Sequence, residues 1–179
     1  MRMKRLLADS CIYGELVVDK ELHLLQEAYA HSKGIVVYGY SLIRKELRAT
    51  PKTKRYSNKS LRIFLLSLYD AFVHERDLNV DENVLKVIAH NYYETYRQLG
   101  GHLSESELRN DYLIVACAAD KGMDIIVSND HASLLSEVSL RAYALVNETL
   151  RLKNPEFIDY REFKALLLKA WHGDQYGNE

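Results

Sequence analysis

Asn110-Asp111-Tyr112-Leu113-Ile114-Val115-Ala116-Cys117-Ala118-Ala119 and, shortly after it, Ile125-Ile126-Val127-Ser128-Asn129-Asp130 decide the fold of this chain. The first stretch is almost wholly apolar after its aspartate and too long for an ordinary strand, so it reads as a helix buried on nearly every face. Upstream, Ser104-Glu105-Ser106-Glu107 carries the capping-box signature that starts such a helix, and Lys121-Gly122 ends it. The second stretch is short and β-branched, and predicts a strand at 125–128. A helix feeding a buried strand is the repeating unit of a parallel α/β sheet.

Working outward, Arg5-Leu6-Leu7-Ala8-Asp9 predicts a first strand over 4–8, and a helix follows from Lys20 to about His31. Gly34 breaks that helix before a strand at 35–38. Ser41 is a candidate cap for a short helix bearing Leu42, Ile43, Glu46 and Leu47, which Thr50-Pro51 ends. Helices are expected over 59–74 and 81–98, the second capped by Asp81 and closed by Gly100-Gly101. Further helices fall around 132–151 and 160–171, with a short strand at Glu156-Phe157-Ile158. Strands separated by helices imply a three-layer α/β/α architecture, with a central, mostly parallel sheet and right-handed crossovers.

At 179 residues the chain can bury a core as one domain, 1–179. Two cysteines, Cys11 and Cys117, make neither a disulfide framework nor a zinc cluster and suit a reducing compartment. The amino terminus Met1-Arg2-Met3-Lys4-Arg5-Leu6-Leu7 is like the start of a leader, but Asp9 and Glu15 interrupt it. No segment has the length to cross a bilayer, so a cytoplasmic protein is expected. No glycine-rich phosphate loop or dinucleotide fingerprint is present.

Four acids stand where such a fold converges. Asp9 and Asp130 close two strands, Glu46 lies on the helix leaving a third, and Asp111 arrives from the helix feeding the last. In doubly wound sheets the crevice lies beyond the carboxyl ends of the strands, where strand order reverses. Clustered carboxylates raise one another's pKa, and oxygen-only ligands favour Mg²⁺ or Mn²⁺, ions suited to phosphoryl displacement. Ser128 could hold a carboxylate by hydrogen bond. Each acid also has a plainer reading. Asp9 and Asp130 could be turn formers, Glu46 a solvated residue among Arg44, Lys45 and Arg48, and Asp111 a buried hydrogen-bonding group. A phosphatase attacking through Asp9 lacks its second aspartate, because Cys11 occupies that position.

The net charge is only −1, yet Arg44, Lys45, Arg48, Lys52, Lys54, Arg55, Lys59 and Arg62 crowd one segment in which Glu46 is the sole acid. Cations beside a carboxylate centre suit a phosphodiester strand, and Tyr56 could stack on a base. A solvated basic loop is the alternative. Tyr92, Tyr93 and Tyr96, at helical spacing, read as packing residues, and His131 as an exposed loop histidine.

The chain resembles the PIN-domain family, metal-dependent nucleases that include VapC-type toxins. The likeness rests on Leu6-Leu7-Ala8-Asp9-Ser10, Ser41-Leu42-Ile43-Arg44-Lys45-Glu46-Leu47, Asn110-Asp111-Tyr112-Leu113-Ile114-Val115-Ala116-Cys117-Ala118 and Ile126-Val127-Ser128-Asn129-Asp130. Ser128 stands where the family usually has threonine, and Ser133-Leu134 lies near the place of its common second Asp-Phe pair. The segment at about 57–103 is enlarged relative to a small toxin. The resemblance implies a PIN-like fold and endoribonuclease activity at Asp9, Glu46, Asp111 and Asp130 with Mg²⁺ or Mn²⁺. It also implies RNA held by the basic segment, a protein antitoxin or regulator, and a homodimer. A non-catalytic PIN-like module binding RNA or protein is the alternative.

Overall fold

The computed structural model describes residues 3–175, with side chains through Trp171; Met1 and Arg2 of the leader-like run lie outside the described residues. Four parallel strands make the central sheet: β1 (Lys4–Ala8), β2 (Ile35–Tyr38), β5 (Ile125–Val127) and β6 (Glu156–Ile158), in the order β2-β1-β5-β6. Register pairs Leu6 with Val37 on one side and with Ile125 on the other. The chain leaves β1 in one direction to reach β2 and returns on the other side at β5. Strand order therefore reverses between β1 and β5. An antiparallel pair, β3 (Arg55–Tyr56) and β4 (Lys59–Ser60), lies apart from the sheet.

Eight helices complete the described chain: α1 (Ser10–Val18), α2 (Leu22–His31), α3 (Ser41–Ala49), α4 (Leu61–Val73), α5 (Glu82–Gln98), α6 (Glu105–Asp120), α7 (Glu137–Leu150) and α8 (Tyr160–Gln175). Two groups of helices flank the sheet. Stacked Tyr29 and Phe72, with Phe163 6.5 Å from Phe72, tie α2, α4 and α8 together. In the other group Tyr92, Tyr112 and Tyr143 meet edge-to-face and lock α5, α6 and α7. Each such pair contributes about 0.5–1.5 kcal/mol beyond the area it buries. Tyr92 and Tyr96 are thus packing residues, as their spacing suggests, with Tyr93 at the margin. The helix α6 holds the centre. Ser104 and Glu107 form its capping box, and every residue from Tyr112 to Ala119 is buried.

The exposed edge of β2 is closed by side chains rather than by another long strand. Tyr29 Oη accepts from the Val37 N–H at 3.0 Å, and Arg76 Nε donates to the Val37 carbonyl at 3.3 Å. Beyond the strand, Gly39 makes a parallel bridge to Asp77, with Gly39 N donating to Arg76 O and Leu78 N to Gly39 O. These contacts satisfy an edge that would otherwise pair with other chains.

Four sequence expectations change. α1 falls where no helix is predicted, because Ser10–Val18 shows no single apolar stripe; Asp9 caps it, and Ile12, Tyr13, Leu16 and Val17 are all buried. Ser41 is the first helical residue, not the cap. That position falls to Tyr40, which makes no side-chain cap bond, and its buried ring with a hydroxyl donating to Glu82 fixes the helix entry. Residues 132–136 are a turn, because the Asp130 carboxylate takes the Ala132 and Ser133 N–H groups and Ser136 starts α7 instead. The basic stretch contains the β3–β4 hairpin, closed by Ser57 and Asn58 at φ 47° and 63°.

A Cβ on Gly39 would stand 2.2 Å from Tyr69 Oη and 2.3 Å from Asp77 Oδ1. Gly39→Ala is therefore expected to cost about 1–3 kcal/mol or more in urea unfolding. Gly14 in α1 has nothing within 4 Å of that position. Gly14→Ala is expected to stabilise by about 0.5–1 kcal/mol through helix propensity in the same measurement.

A candidate carboxylate site at the crossover point

Asp9 is placed by the ladder itself, since its N–H continues the β1–β5 pairing by donating to Val127 O at 2.9 Å. The residue is buried, and each carboxylate oxygen is engaged. Oδ1 accepts from Ser10 N at 2.6 Å, and Oδ2 accepts from Ser128 Oγ at 2.9 Å and Cys11 Sγ at 3.1 Å. Ser128 Oγ in turn accepts from the Asp130 N–H at 3.1 Å. One fully buried hydroxyl thus connects the ends of β1 and β5, the two strands between which the order reverses.

Asp130 has a structural duty as well, with Oδ1 accepting from Ala132 N and Ser133 N, both at 3.0 Å. Its Oδ2 accepts from Ser133 Oγ at 2.7 Å, and the same hydroxyl contacts Asp111 Oδ2. A hydroxyl has one proton to give, so it serves both carboxylates fully only when one of them is protonated and donates back. Asp111 is the one disposed to do so, its pKa pushed up to about 7. Burial is the main cause. The Ser133 hydrogen bond opposes it, and the charges of Asp9, Asp130 and Glu46 raise it further.

Glu46 projects from α3, which packs against α1, α4 and α6. It is half-buried, and Oε1 accepts from Asn110 Nδ2 at 2.7 Å. Burial raises its pKa, Ser10 and Asn110 hydrogen bonds offset part of the rise, and the Asp9 charge adds to it. The four acids singled out in the sequence therefore face one another electrostatically. Ser133, Asn110, Ser10 and Cys11 hydrogen-bond to these acids, although the sequence assigns them no role; each lies within three residues of one of the four, the one signal it offers. The surroundings of Cys11 disfavour its thiolate. Burial first, then the Asp9 charge, pushes its pKa up to about 12.

Divalent-ion chemistry suits the donor set in part. The donors are hard oxygens, and the charges of Asp9, Asp130 and Glu46 add to the rise that burial imposes on the Asp111 pKa. Among the described residues, however, no three His, Cys, Asp or Glu side chains form a cluster able to hold one ion. What fits is an ion on one or two carboxylates with water filling its other positions, which is the habit of Mg²⁺.

The basic residues surround the exit of α3. Arg44 is committed to Asp70, at 3.2 Å, and lies over the Tyr69 ring. Lys45, Arg48, Lys52, Lys54, Arg55 and Lys59 are exposed and Arg62 half-buried, and no ion pair to any of these seven is found among the described residues. His131 is exposed.

The Asp111 shift fixes a sign for the pH dependence of stability. A carboxyl with a native pKa near 7 and an unfolded value near 4 keeps its proton in the folded state while the unfolded chain loses it, so stability falls as pH rises from about 4 to about 7. In EDTA, Asp111→Asn is expected to flatten that slope and to melt higher than wild type at pH 8, by about 2–4 °C for each kcal/mol of strain removed. Calorimetric melts between pH 4.5 and 8 measure both.

By sequence the chain matches no protein-family signature and no curated protein. By structure it is similar to VapBC2 from Rickettsia felis, solved bound to a DNA fragment from their promoter, with a TM-score of 0.54 at 14% identity over 87% of this chain and 98% of that one. It is also similar to VapBC-1 from nontypeable Haemophilus influenzae, with a TM-score of 0.52 at 12% identity over 89% and 99%. At these identities the likeness is one of fold. The fold is PIN-like.

Proposed function

We propose that the chain is a metal-dependent endoribonuclease acting at Asp9, Glu46, Asp111 and Asp130. The observation that supports this most is geometric: Ser128 joins Asp9 to the Asp130 N–H, and Ser133 joins Asp130 to Asp111, so three carboxylates meet at the ends of β1 and β5. Bringing four like charges into one half-buried crevice costs stability, and a ligand of opposite charge recovers it. Asp9, Asp111 and Asp130, with Glu46 at the rim, would hold one or two Mg²⁺ or Mn²⁺ ions directly or through water. When bound, such ions supply an acidified water and neutralise charge building on the phosphoryl oxygens.

The chain's own residues do the positioning. Ser128 holds Asp9 against the end of β5, and Ser133 holds Asp130 against Asp111. Burial and the neighbouring carboxylates raise the Asp111 pKa in the metal-free protein, and a bound cation would lower it again. The cations from Lys45 to Arg62 would dock the phosphates of an RNA strand beside the crevice. The neighbours of known structure are VapBC complexes, one with promoter DNA, and a protein antitoxin or regulator is the corresponding partner for this chain. A homodimer fits the same reading.

A second reading, a non-catalytic PIN-like module binding RNA or protein, is favoured by the absence of a three-residue metal cluster among the described residues. Mn²⁺ separates the two. On the nuclease reading, Mn²⁺ at a hundred times its Kd adds about 2.7 kcal/mol and raises Tm by roughly 5–10 °C, whereas the module shows no rise. Asparagine at position 9 keeps the cap acceptor but removes the charge. Asp9→Asn is accordingly expected to stay folded, lose the Mn²⁺ shift and cleave single-stranded RNA at least 100-fold more slowly. Wild-type rates from this variant would sink the mechanism.

A further inference from the structure

Away from the carboxylates, the β3–β4 hairpin leans on the start of α4 and encloses a groove of about 440 Å³ lined by Arg55, Lys59, Ser60, Ile63, Phe64 and Ser67. That volume lies within the range of small-ligand sites. Its floor is apolar and uncovered: Ile63 is 64% exposed, and the Tyr56 ring, though not part of the lining, lies 6.4 Å from that of Phe64. Its walls are cationic, and the nearest acid on α4, Asp70, is already paired with Arg44. The hairpin is not a loose loop. Two positive-φ residues close it, and Leu61 N–H donating to Lys54 O at 3.0 Å pins its base to α4. A pinned backbone of this kind spares part of the ordering cost of binding, while the exposed Arg55 and Lys59 side chains still have to order.

We propose that this groove is a nucleobase subsite, which takes one unpaired base against Ile63, Phe64 and Tyr56 while Arg55 and Lys59 hold the flanking phosphates. An apolar floor between two cations that have no ion pair among the described residues matches a nucleotide, which presents a flat apolar face between two anions. A base inside a duplex cannot enter, so the subsite selects single-stranded nucleic acid by shape and needs no metal. The subsite lies beyond the end of α3, the helix that carries Glu46. It rests on the nuclease reading only for what then happens to the strand.

The test is fluorescence anisotropy of the full chain in EDTA, with a labelled oligouridylate, its DNA counterpart and a blunt RNA duplex. The single strands are expected to bind at least tenfold more tightly than the duplex. Tyr56→Ala and Ile63→Ser should each weaken single-strand binding about tenfold, with the salt slope unchanged. Arg55→Gln/Lys59→Gln should reduce that slope by about 1.4. Equal binding of oligouridylate and oligothymidylate leaves stacking as the recognition, and a preference for RNA adds a contact to the 2′-hydroxyl; either agrees with the proposal. Folded Tyr56→Ala and Ile63→Ser proteins that bind as wild type would overturn it, as would an acidic peptide displacing the oligonucleotide from wild type but not from Ile63→Ser. Asp9→Asn separates this result from the nuclease reading, since it should lose cleavage in Mn²⁺ while binding normally in EDTA.

Discussion

A helix that is apolar on every face has no surface to offer water, so it must lie in the middle of the protein. From Tyr112 to Ala119 α6 is such a helix, every residue buried, and the other elements are arranged to cover that stretch. Tyr92 and Tyr143 close over Tyr112 from α5 and α7, α3 crosses nearby, and β5 lies against it. Because Asp111 precedes the apolar run by one residue, burying α6 carries a carboxylate to the edge of the core. The position of that charge follows from packing, and its raised pKa follows from the position.

Sheet topology supplies the rest of the charge. The order β2-β1-β5-β6 puts the point of reversal between β1 and β5; Asp9 follows β1 directly, and Asp130 lies three residues beyond β5. Backbone pairing brings Asp9 to Val127, and Ser128 bonds both to Asp9 and to the Asp130 N–H. Two hydroxyls, Ser128 and Ser133, therefore hold three aspartates without neutralising any of them. Hydrogen bonds orient carboxylates at modest cost, whereas compensating their charge needs a cation or a proton. The proton shared through Ser133 is one solution, and a divalent ion is the other. That alternative is the physical basis of the proposed chemistry.

Strong local patterns made most of the architecture legible. Capping boxes and long apolar periods are written in neighbouring residues, so α5, α6 and the four sheet strands can be found from the chain alone. α1 could not, because Cys11-Ile12-Tyr13-Gly14-Glu15-Leu16-Val17 has no single stripe and two of its residues are poor helix formers; burial and the Asp9 cap make it helical. The hairpin was hidden because Ser57-Asn58 lacks the glycine that usually announces its turn. In the crevice, the acids could be placed because strand ends are readable. Their partners could not. The Asn110–Glu46 bond joins residues 64 apart in sequence, and nothing local to Ser133 tells that its hydroxyl will bridge two aspartates.

The central claim is that the four carboxylates form one unit that a divalent ion completes. A crystal of the protein soaked in Mn²⁺ and recorded at the manganese absorption edge tests it most directly. The account predicts anomalous density between the ends of β1 and β5, within about 2–2.5 Å of oxygens of Asp9, Asp130 or Asp111, and the Ser133 contact to Asp111 loosened. A crevice free of manganese at saturating concentration, with Asp111 and Asp130 still joined through Ser133, would contradict it.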